Sequence, residues 1–475
     1  MYIKISERRQ IMNIFQDGQP IDLETVLANK DWRTAFQTQL EKQYPDDVVV
    51  SVKLNIPGPI KNSPGLQQLF QQGFNRLRMM LGRLHVKDIK FFVARPSGPE
   101  TFLIVSEDIT TVKRVAVLFE SDMLTGRLFD VDVMAYHNEK QLSRQALGLP
   151  ARQCLICDKD AKVCMKLGAH TLTEGYQVIN QLYKKMATTP LRIWPQTQAA
   201  VVQYALSALL YEVSVNPKPG LVDPVSNGAH DDMTVFTFID SSLALTNYFN
   251  QAYRIGLDYS GGELTSMFQM LRKAGIAAEK QMFAATHGIN THKGAIFSLG
   301  ILVTAIAYIS RQGVASLQQL QQVVQGMLQG IVTQDLNHSF GKRVLTAGEK
   351  QYQAYQLTGV RGEAAAGFPT VMAIALPFLQ QASGTTNQKL LDTLMVIADN
   401  INDTNLIKRA GTIAIIPELK QWISHYFELG GSVTSEGLSY LYTLDEHFMT
   451  RNLSIGGAAD NLILTTFLAK MGGIL

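Results

Sequence analysis

Near residue 190 the chain changes its pattern, and that change restricts it to two unlike domains. Before it, short runs rich in β-branched and aromatic residues alternate with helical stretches. Residues 47–54, 89–94, 101–105 and 128–133 have the length and content of strands, whereas 66–84 and 112–120 are spaced as helices. That mixture predicts an α+β domain. Beyond Pro195 the pattern is long, rich in alanine and leucine, and helical over 199–210, 235–255, 262–287, 295–309, 317–335, 390–403 and 458–471. An all-α domain is expected there. The segment 186–195 (MATTPLRIWP) has two prolines and no periodicity, so the expected division is 1–185, a linker at 186–195, and 196–475.

Composition excludes several classes. At 475 residues, 46% hydrophobic and 17% charged, the chain is ordinary globular material with enough length for two cores. A net charge of +3 gives no field for nucleic acid or an anionic membrane surface. Residues 1–10 lack the apolar stretch of a secretory signal. The uncharged run 294–310 is shorter than the roughly 20 residues that span a bilayer. It predicts a buried core helix, hence no membrane partner and a cytoplasmic protein. The three cysteines all fall between 154 and 164, an odd count that argues against a disulfide framework.

In the first half, Asp130 and Asp132 sit at i and i+2 of a strand-like run, so both carboxylates point to one face. With Arg127 beside them they offer what Mg²⁺-dependent phosphate chemistry needs, although two solvated strand acids would look the same. The turn Asn55-Ile56-Pro57-Gly58-Pro59-Ile60-Lys61-Asn62 is held extended by its prolines and could cradle a phosphate through its amides and Lys61. Cys154, Cys157, Cys164 and His170 have the residue types of a structural Zn²⁺ site, with buried thiols as the alternative.

In the second half, polar and Gly-rich islands interrupt apolar helices. Glu212, Asp223 and Asp232 cluster around one proline-rich loop as candidate Mg²⁺ ligands, while Asp231 is expected to cap a helix. His287, His292 and Lys293 precede an apolar helix whose first amides suit an anion. Arg361 and Glu363 stand among glycines, Asp399 and Asp403 are spaced i, i+4, and residues 451–460 open the last helix with two glycines. Such islands predict loops meeting at one face of a helical domain, around polyphosphate and Mg²⁺.

These islands (216–223, 227–233, 286–297, 361–369, 403–406 with 409–411, and 451–460) resemble the triphosphoribosyl-dephospho-CoA synthase family. The first half resembles the apo-citrate lyase phosphoribosyl-dephospho-CoA transferase family through 55–62, 98–100, 126–133, Ser143-Arg144 and the Arg152, Cys154, Cys157, Cys164, His170 set. The resemblance implies nucleotidyltransferase-type chemistry in the α+β domain. It implies ATP and 3′-dephospho-CoA as substrates of the second domain, with adenine released. It also implies the acyl carrier (gamma) subunit of citrate lyase as the protein that the first domain modifies, with pyrophosphate released.

By the same resemblance, Asp130 and Asp132 hold metal, and Arg127, Lys61 and Arg144 neutralise phosphates. In the second domain Asp223, Asp232, Glu363 and Asp403 hold Mg²⁺. Glu363 and His230 serve catalysis, His230 as a proton acceptor. Lys218, His292, Lys293, Arg361, Arg409 and Asn452 contact substrate. Thr234 and Ile455 depart from the family's pattern, standing where an acid and a proline are usual. The rival readings are the related maturation of malonate decarboxylase, a helical ADP-ribosyl hydrolase, and a non-catalytic module that binds the carrier.

Overall fold

The computed structural model describes residues 13–82, 84–122, 125–136, 142–157, 159–336 and 347–475. The expectation about residues 1–10 lies outside them. The chain divides into two compact units, with the change at Thr189/Pro190.

The first unit is built on a four-stranded antiparallel sheet. Its elements are α1 (Leu23–Gln43), β1 (Val48–Leu54), α2 (Pro64–Leu81), β2 (His85–Phe92), β3 (Glu100–Ser106), α3 (Ile109–Asp122), β4 (Phe129–Ala135), α4 (Ala161–Leu167) and α5 (Leu172–Thr188). The strand order is β2-β3-β1-β4. Period-two alternation sends Val48, Val50, Val52, Leu103, Val105, Val131 and Val133 to one face, where they form a core with α2, α3 and α5. Val49, Phe102 and Ile104 face the other way, under Trp32, Phe36 and Leu40 of α1. Those three recur at i, i+4 and i+8, but Leu23 and Leu27 of the same helix are exposed, which blurs the apolar stripe and explains why α1 is not among the helices expected above.

Local chemistry fixes the ends of these helices. Ser63 caps α2 by accepting the Leu66 amide (3.0 Å), and Pro64 opens it, where a missing N–H costs nothing. Along α2, Leu66, Leu69, Phe70, Phe74, Leu77 and Leu81 are buried. Each contributes about 1.5–3 kcal/mol relative to exposure. Phe70→Ala alone would cost about 3–5 kcal/mol. Helix α5 runs to Thr188, three residues into the expected linker, because the Thr171–Glu174 capping box starts a 17-residue helix that nothing interrupts before Pro190.

The second unit is helical. It contains β5 (Arg192–Ile193), α6 (Gln198–Ser214), α7 (Val235–Ala244), α8 (Thr246–Asp258), α9 (Leu264–Ala285), α10 (Lys293–Ile309), β6 (Ala315–Ser316), α11 (Leu317–Met327), α12 (Ile331–Leu336), α13 (Ala347–Tyr355) and α14 (Gly359–Ala365). A π-helical turn at Thr370–Ala375 leads into α15 (Leu376–Gln381). Then come α16 (Thr386–Asn400), α17 (Thr404–Ala410), α18 (Ile415–Glu428), α19 (Ser435–Thr450) and α20 (Gly456–Met471). The short strands β5 and β6 pair antiparallel.

Helix α10 is buried on every side, from Ala295 to Ile309, against α8, α9 and α20. That accounts for its uniform apolarity. Among the described residues, Lys293–Gln312 is long and apolar enough to cross a membrane, but 78% of it is already covered by the protein.

Four sequence expectations change here, the first being that the run 317–335 is two helices, α11 and α12, which break after Met327. The run 235–255 is two helices that break at Leu245. Helix α7 starts at Val235, with Thr234 as its N-cap residue and the Thr237 hydroxyl accepting the Thr234 amide (3.1 Å), so Asp231 is not its cap. Helix α16 stops at Asn400, and Asp403 caps the next helix instead of sharing a face with Asp399.

Candidate active sites

In the first unit β4 carries the acidic pair as alternation requires: Phe129, Val131 and Val133 are buried, and Asp130 and Asp132 are half-buried on the opposite face. Antiparallel register sets Lys53 across from Asp130 and Ser51 across from Asp132. Lys53 Nζ lies 2.6 Å from Asp130 Oδ2, and Arg152 Nη1 lies 3.9 Å from Oδ1. Burial pushes Asp130 up, but the charges of Lys53, Arg152 and Arg33 outweigh it and hold the carboxyl below the usual range. The buried Ser51 hydroxyl, across from Asp132, has no hydrogen-bond partner among the described residues.

Around this pair the expected cations divide. Arg127 donates to the carbonyls of Gln153 (2.6 Å) and Cys154, so it latches a loop rather than reaching outward. Arg144 binds Ser121 Oγ (2.8 Å) and Glu120, whose other oxygen accepts the Val131 amide of β4. Lys61 Nζ donates to the Ile56 carbonyl (2.5 Å) across the proline turn; burial and the charge of Lys53 lower its pKa. Lys53 and Arg33 are the cations that sequence reasoning missed. Lys53 is placed by strand register, and only its alternation with Ser51 in VVVSVKL hints at it.

In the second unit, the end of α6, the loop after it, the starts of α10, α17 and α20, and α14 surround a cavity of about 850 Å³. This lies within the range of small-molecule sites. Of the expected residues, His230, Asp232, His292, Lys293, Glu363, Asp403 and Arg409 line it. Glu212, also expected, lines it too, as do Lys408 and Asp460, to which the sequence assigns no role. Asp460 and Lys408 carry no spacing signal, because Asp460 lies one turn into an alanine-rich helix and Lys408 between motif positions.

Four expected residues have other positions. Lys218 is fully buried, pairs with Glu212 and donates to its carbonyl (2.6 Å), so it holds the end of α6 and does not reach a phosphate. Asp223 is 2% exposed, and its four contacts close its own loop. Oδ1 accepts the Val225 and Ser226 amides (2.8 Å each); Oδ2 accepts Asn216 Nδ2 (2.9 Å) and the Lys218 amide (3.1 Å). With both oxygens taken it does not fit a metal ligand. Arg361 is exposed on α14, off the cavity wall. Asn452 is exposed too and accepts Arg409 Nη1 (2.5 Å).

Asp403, 1% exposed, joins two helix starts. Oδ1 accepts the Asn405 and Leu406 amides of α17 (2.9 and 3.1 Å), and Oδ2 accepts the Ala458 amide of α20 (3.0 Å). Burial raises its pKa even so. This arrangement organises the wall and leaves little for a metal.

Burial likewise pushes Asp460 up to about 8, helped by the charges of Glu212 and Asp403, so its carboxyl is largely protonated near neutrality. Gly294 makes room for it, since a Cβ there would overlap the Asp460 carboxylate. Glu363 lines the cavity and its Oε1 accepts the Thr370 amide at the π-helical turn (2.7 Å).

The histidines are both held neutral. His292 Nδ1 bonds Ser241 Oγ (2.7 Å), its buried Nε2 has no partner among the described residues, and burial with Lys218 pushes its pKa down to about 3. Burial, then Arg409, lowers His230. Arg409 Nη2 lies 3.1 Å from His230 Nδ1 and 3.4 Å from Nε2, and Ser454 Oγ lies 3.4 Å from Nε2.

Lys293 pairs with Glu279 at 3.0 Å and remains half-open to solvent at the start of α10. Acids, cations and two long helix starts thus share one wall, an arrangement suited to an anion carried with a divalent cation.

Comparison with known proteins agrees with this division. The family described as ATP:dephospho-CoA triphosphoribosyl transferase matches residues 198–474. The family described as apo-citrate lyase phosphoribosyl-dephospho-CoA transferase matches residues 21–186. Protein CitXG of Leuconostoc mesenteroides subsp. cremoris is 52% identical over 98% of this chain and all of its own length. Protein CitXG of Haemophilus influenzae is 31% identical over 96% of this chain and 98% of its own. A probable 2-(5''-triphosphoribosyl)-3'-dephosphocoenzyme-A synthase of Lactiplantibacillus plantarum is 50% identical over 58% of this chain and 98% of its own. The chain belongs to the fused family that joins an apo-citrate lyase phosphoribosyl-dephospho-CoA transferase domain to an ATP:dephospho-CoA triphosphoribosyl transferase domain, and it is a bifunctional transferase.

Proposed function

We propose that the chain makes the prosthetic group of citrate lyase and attaches it, the second unit acting first. There the 2′-hydroxyl of 3′-dephospho-CoA attacks C1 of the ATP ribose. The N-glycosidic bond breaks, adenine leaves, and the triphosphate stays on the transferred sugar. One proton leaves the hydroxyl and one joins the departing base. The observation that carries this reading is the single cavity where Glu363, Asp232 and Asp460 meet Lys293, Lys408 and Arg409 at the starts of α10 and α20.

Each residue has a task there. The carboxylate of Glu363 stabilises the oxocarbenium charge that develops on the ribose. Asp460, protonated near neutrality, is the proton donor to adenine. Lys293 and Arg409 hold the triphosphate with the α10 and α20 amides, and neutral His230 is the proton acceptor for the attacking hydroxyl. Asp232 and Glu363 fit Mg²⁺, which when bound offsets the charge of the triphosphate.

In the first unit a serine hydroxyl of the citrate lyase acyl carrier subunit attacks the α-phosphorus of the product. A phosphodiester forms and pyrophosphate leaves. Asp130 and Asp132 fit Mg²⁺ here, and Lys53 and Arg152 offset charge on the phosphates.

The test is incubation of the purified chain with ATP, Mg²⁺ and 3′-dephospho-CoA, followed by mass spectrometry. A triphosphoribosyl adduct with one adenine per adduct is expected, and apo-carrier subunit added next should gain the phosphoribosyl-dephospho-CoA mass. Free sugar phosphate without an adduct would mean a hydrolase instead, and no adenine release at all would mean a binding module.

A further inference from the structure

Neither reaction uses the cysteines, yet the fold gathers them. Cys154 and Cys157 flank a tight turn in which the Ile156 amide points at Cys154 Sγ (3.4 Å). A small hairpin closes it: the Cys154 amide donates to Lys159 O (2.7 Å) and the Ala161 amide to Arg152 O (2.9 Å). Asp160 then caps α4, which presents Cys164 from its first turn. Gly168, in the left-handed region, ends α4 and returns the chain so that His170 comes back over the cysteines.

Cys157 Sγ lies 3.5 Å from Cys164 Sγ and 3.3 Å from His170 Nε2, and all four ligand atoms are within 4.8 Å of one another. A tetrahedron with Zn–S near 2.3 Å and Zn–N near 2.0 Å has edges of about 3.5–3.8 Å. The thiols are free, and their spacing far exceeds a disulfide bond of about 2.05 Å. Four atoms this close enclose one ion, not a cluster of several irons, and three thiolates with one imidazole select zinc over oxygen-loving cations.

A second observation is independent of those distances. Among the described residues from 151 to 170, Cys154 and Cys164 alone are buried. Val163, Met165 and Leu167 of α4 are 47%, 78% and 73% exposed. Apolar burial therefore does little to hold this segment, and a short segment without a core needs a crosslink to take one shape.

We propose that Cys154, Cys157, Cys164 and His170 bind one structural Zn²⁺ ion that fixes the loop carrying Arg152. Binding displaces the thiol protons and leaves a net charge of minus one on the Cys₃His centre. The guanidinium of Arg127 donates to the carbonyls of Gln153 and Cys154 within this loop. Arg152 in turn donates to the carbonyls of Arg127 and Phe129 (2.5 Å each) and faces Asp130. Zinc thus sets the position of Arg152 at the acidic pair. This second half rests on the reading of Asp130 as the transfer site; zinc binding itself does not.

The full chain, produced with zinc in the medium and purified under reducing conditions, should carry about one zinc per chain by elemental mass spectrometry. Replacement by Co²⁺ should give thiolate-to-cobalt charge transfer and the strong visible bands of a tetrahedral site. Cys164→Ser should lose the metal, and His170→Cys, which restores four ligands, should keep it. A folded, reduced chain with far less than one zinc and no tetrahedral cobalt spectrum overturns the proposal.

Arg152→Gln should keep its zinc and raise KM for the triphosphoribosyl substrate of the transfer step about tenfold or more. Adenine release by the second unit should stay unchanged in both Cys164→Ser and Arg152→Gln. Full zinc in Arg152→Gln with normal transfer would overturn the positioning half and leave the metal site standing.

Discussion

The acids of the two units are of one residue type but are held in opposite ways. On β4, Asp130 stands among Lys53, Arg152 and Arg33, which keep its carboxyl charged well below the usual range. In the second unit Asp460 and Asp403 are raised by burial, Asp460 to about 8. The first site is an open sheet face where neighbouring cations set the charge; the second is a deep wall where desolvation sets it. A carboxylate that is already ionised can accept a metal or neutralise a phosphate, whereas a protonated one can give a proton away. Two acidic motifs of similar appearance in sequence are therefore assigned different chemistry.

The largest expected effect tests that separation directly. Asp130→Asn should reduce transfer to the carrier subunit at least about a hundredfold while adenine release persists. Glu363→Gln should do the reverse. The two steps are read separately, transfer by the mass of the carrier subunit supplied with ready-made triphosphoribosyl substrate, and synthesis by adenine in solution. If either substitution stops both steps, the division into two sites fails.

Gly294→Ala comes next. Its methyl group would overlap the Asp460 carboxylate, and overpacking of this kind costs about 1–3 kcal/mol. Adenine release should fall about tenfold or more, and transfer of ready-made triphosphoribosyl substrate should not. Normal adenine release would show that Asp460 can move aside without consequence, removing it from the chemistry.

The pH dependence of stability isolates Asp460. Its folded-state pKa near 8 stands above the unfolded value near 3.8. A group raised in this way contributes its full stability below the unfolded value and loses it as pH rises toward 8. Asp460→Asn is neutral throughout, so it should match the native chain near pH 4 and gain on it up to pH 8. The gain between pH 6 and 8 should be about 1–2 kcal/mol, after discounting for partial access to solvent. Denaturant midpoints of the second unit at several pH values, without ATP or Mg²⁺, would read it. Parallel curves for the two proteins would mean that Asp460 ionises normally.

Much of the fold follows from local pattern, and less of either site does. Alternation in residues 128–133 sufficed to put Asp130 and Asp132 on one face, as β4 does. The uniform apolarity of 294–310 sufficed for the buried α10. Lys53 became a partner of Asp130 only through the pairing of β1 with β4, which joins residues 77 positions apart and leaves no local trace. In the second unit the islands do meet, but a buried acid can hold backbone as well as a ligand. Asp223 and Asp403 spend their oxygens on amides, and spacing does not distinguish that from coordination. Asp460 closes the 451–460 island but draws no role there, because its character comes from burial and the charges of Glu212 and Asp403.

Asp403 gives the smallest effect on chemistry and the sharpest contrast with Glu363. If its oxygens organise the starts of α17 and α20, Asp403→Asn keeps one carbonyl oxygen for the Asn405 and Leu406 amides, since asparagine is a good N-cap. The other oxygen becomes an NH₂ group facing the Ala458 N–H, so one hydrogen bond is lost and two donors oppose each other. That should cost about 1–3 kcal/mol of stability, and adenine release by the folded protein should remain within about tenfold of native. A metal-binding role predicts the opposite pair of results. Removing a buried charge would leave stability equal or higher, and adenine release would fall as far as in Glu363→Gln. Thermal midpoint and adenine release measured on one preparation separate the two, because each role moves a different quantity.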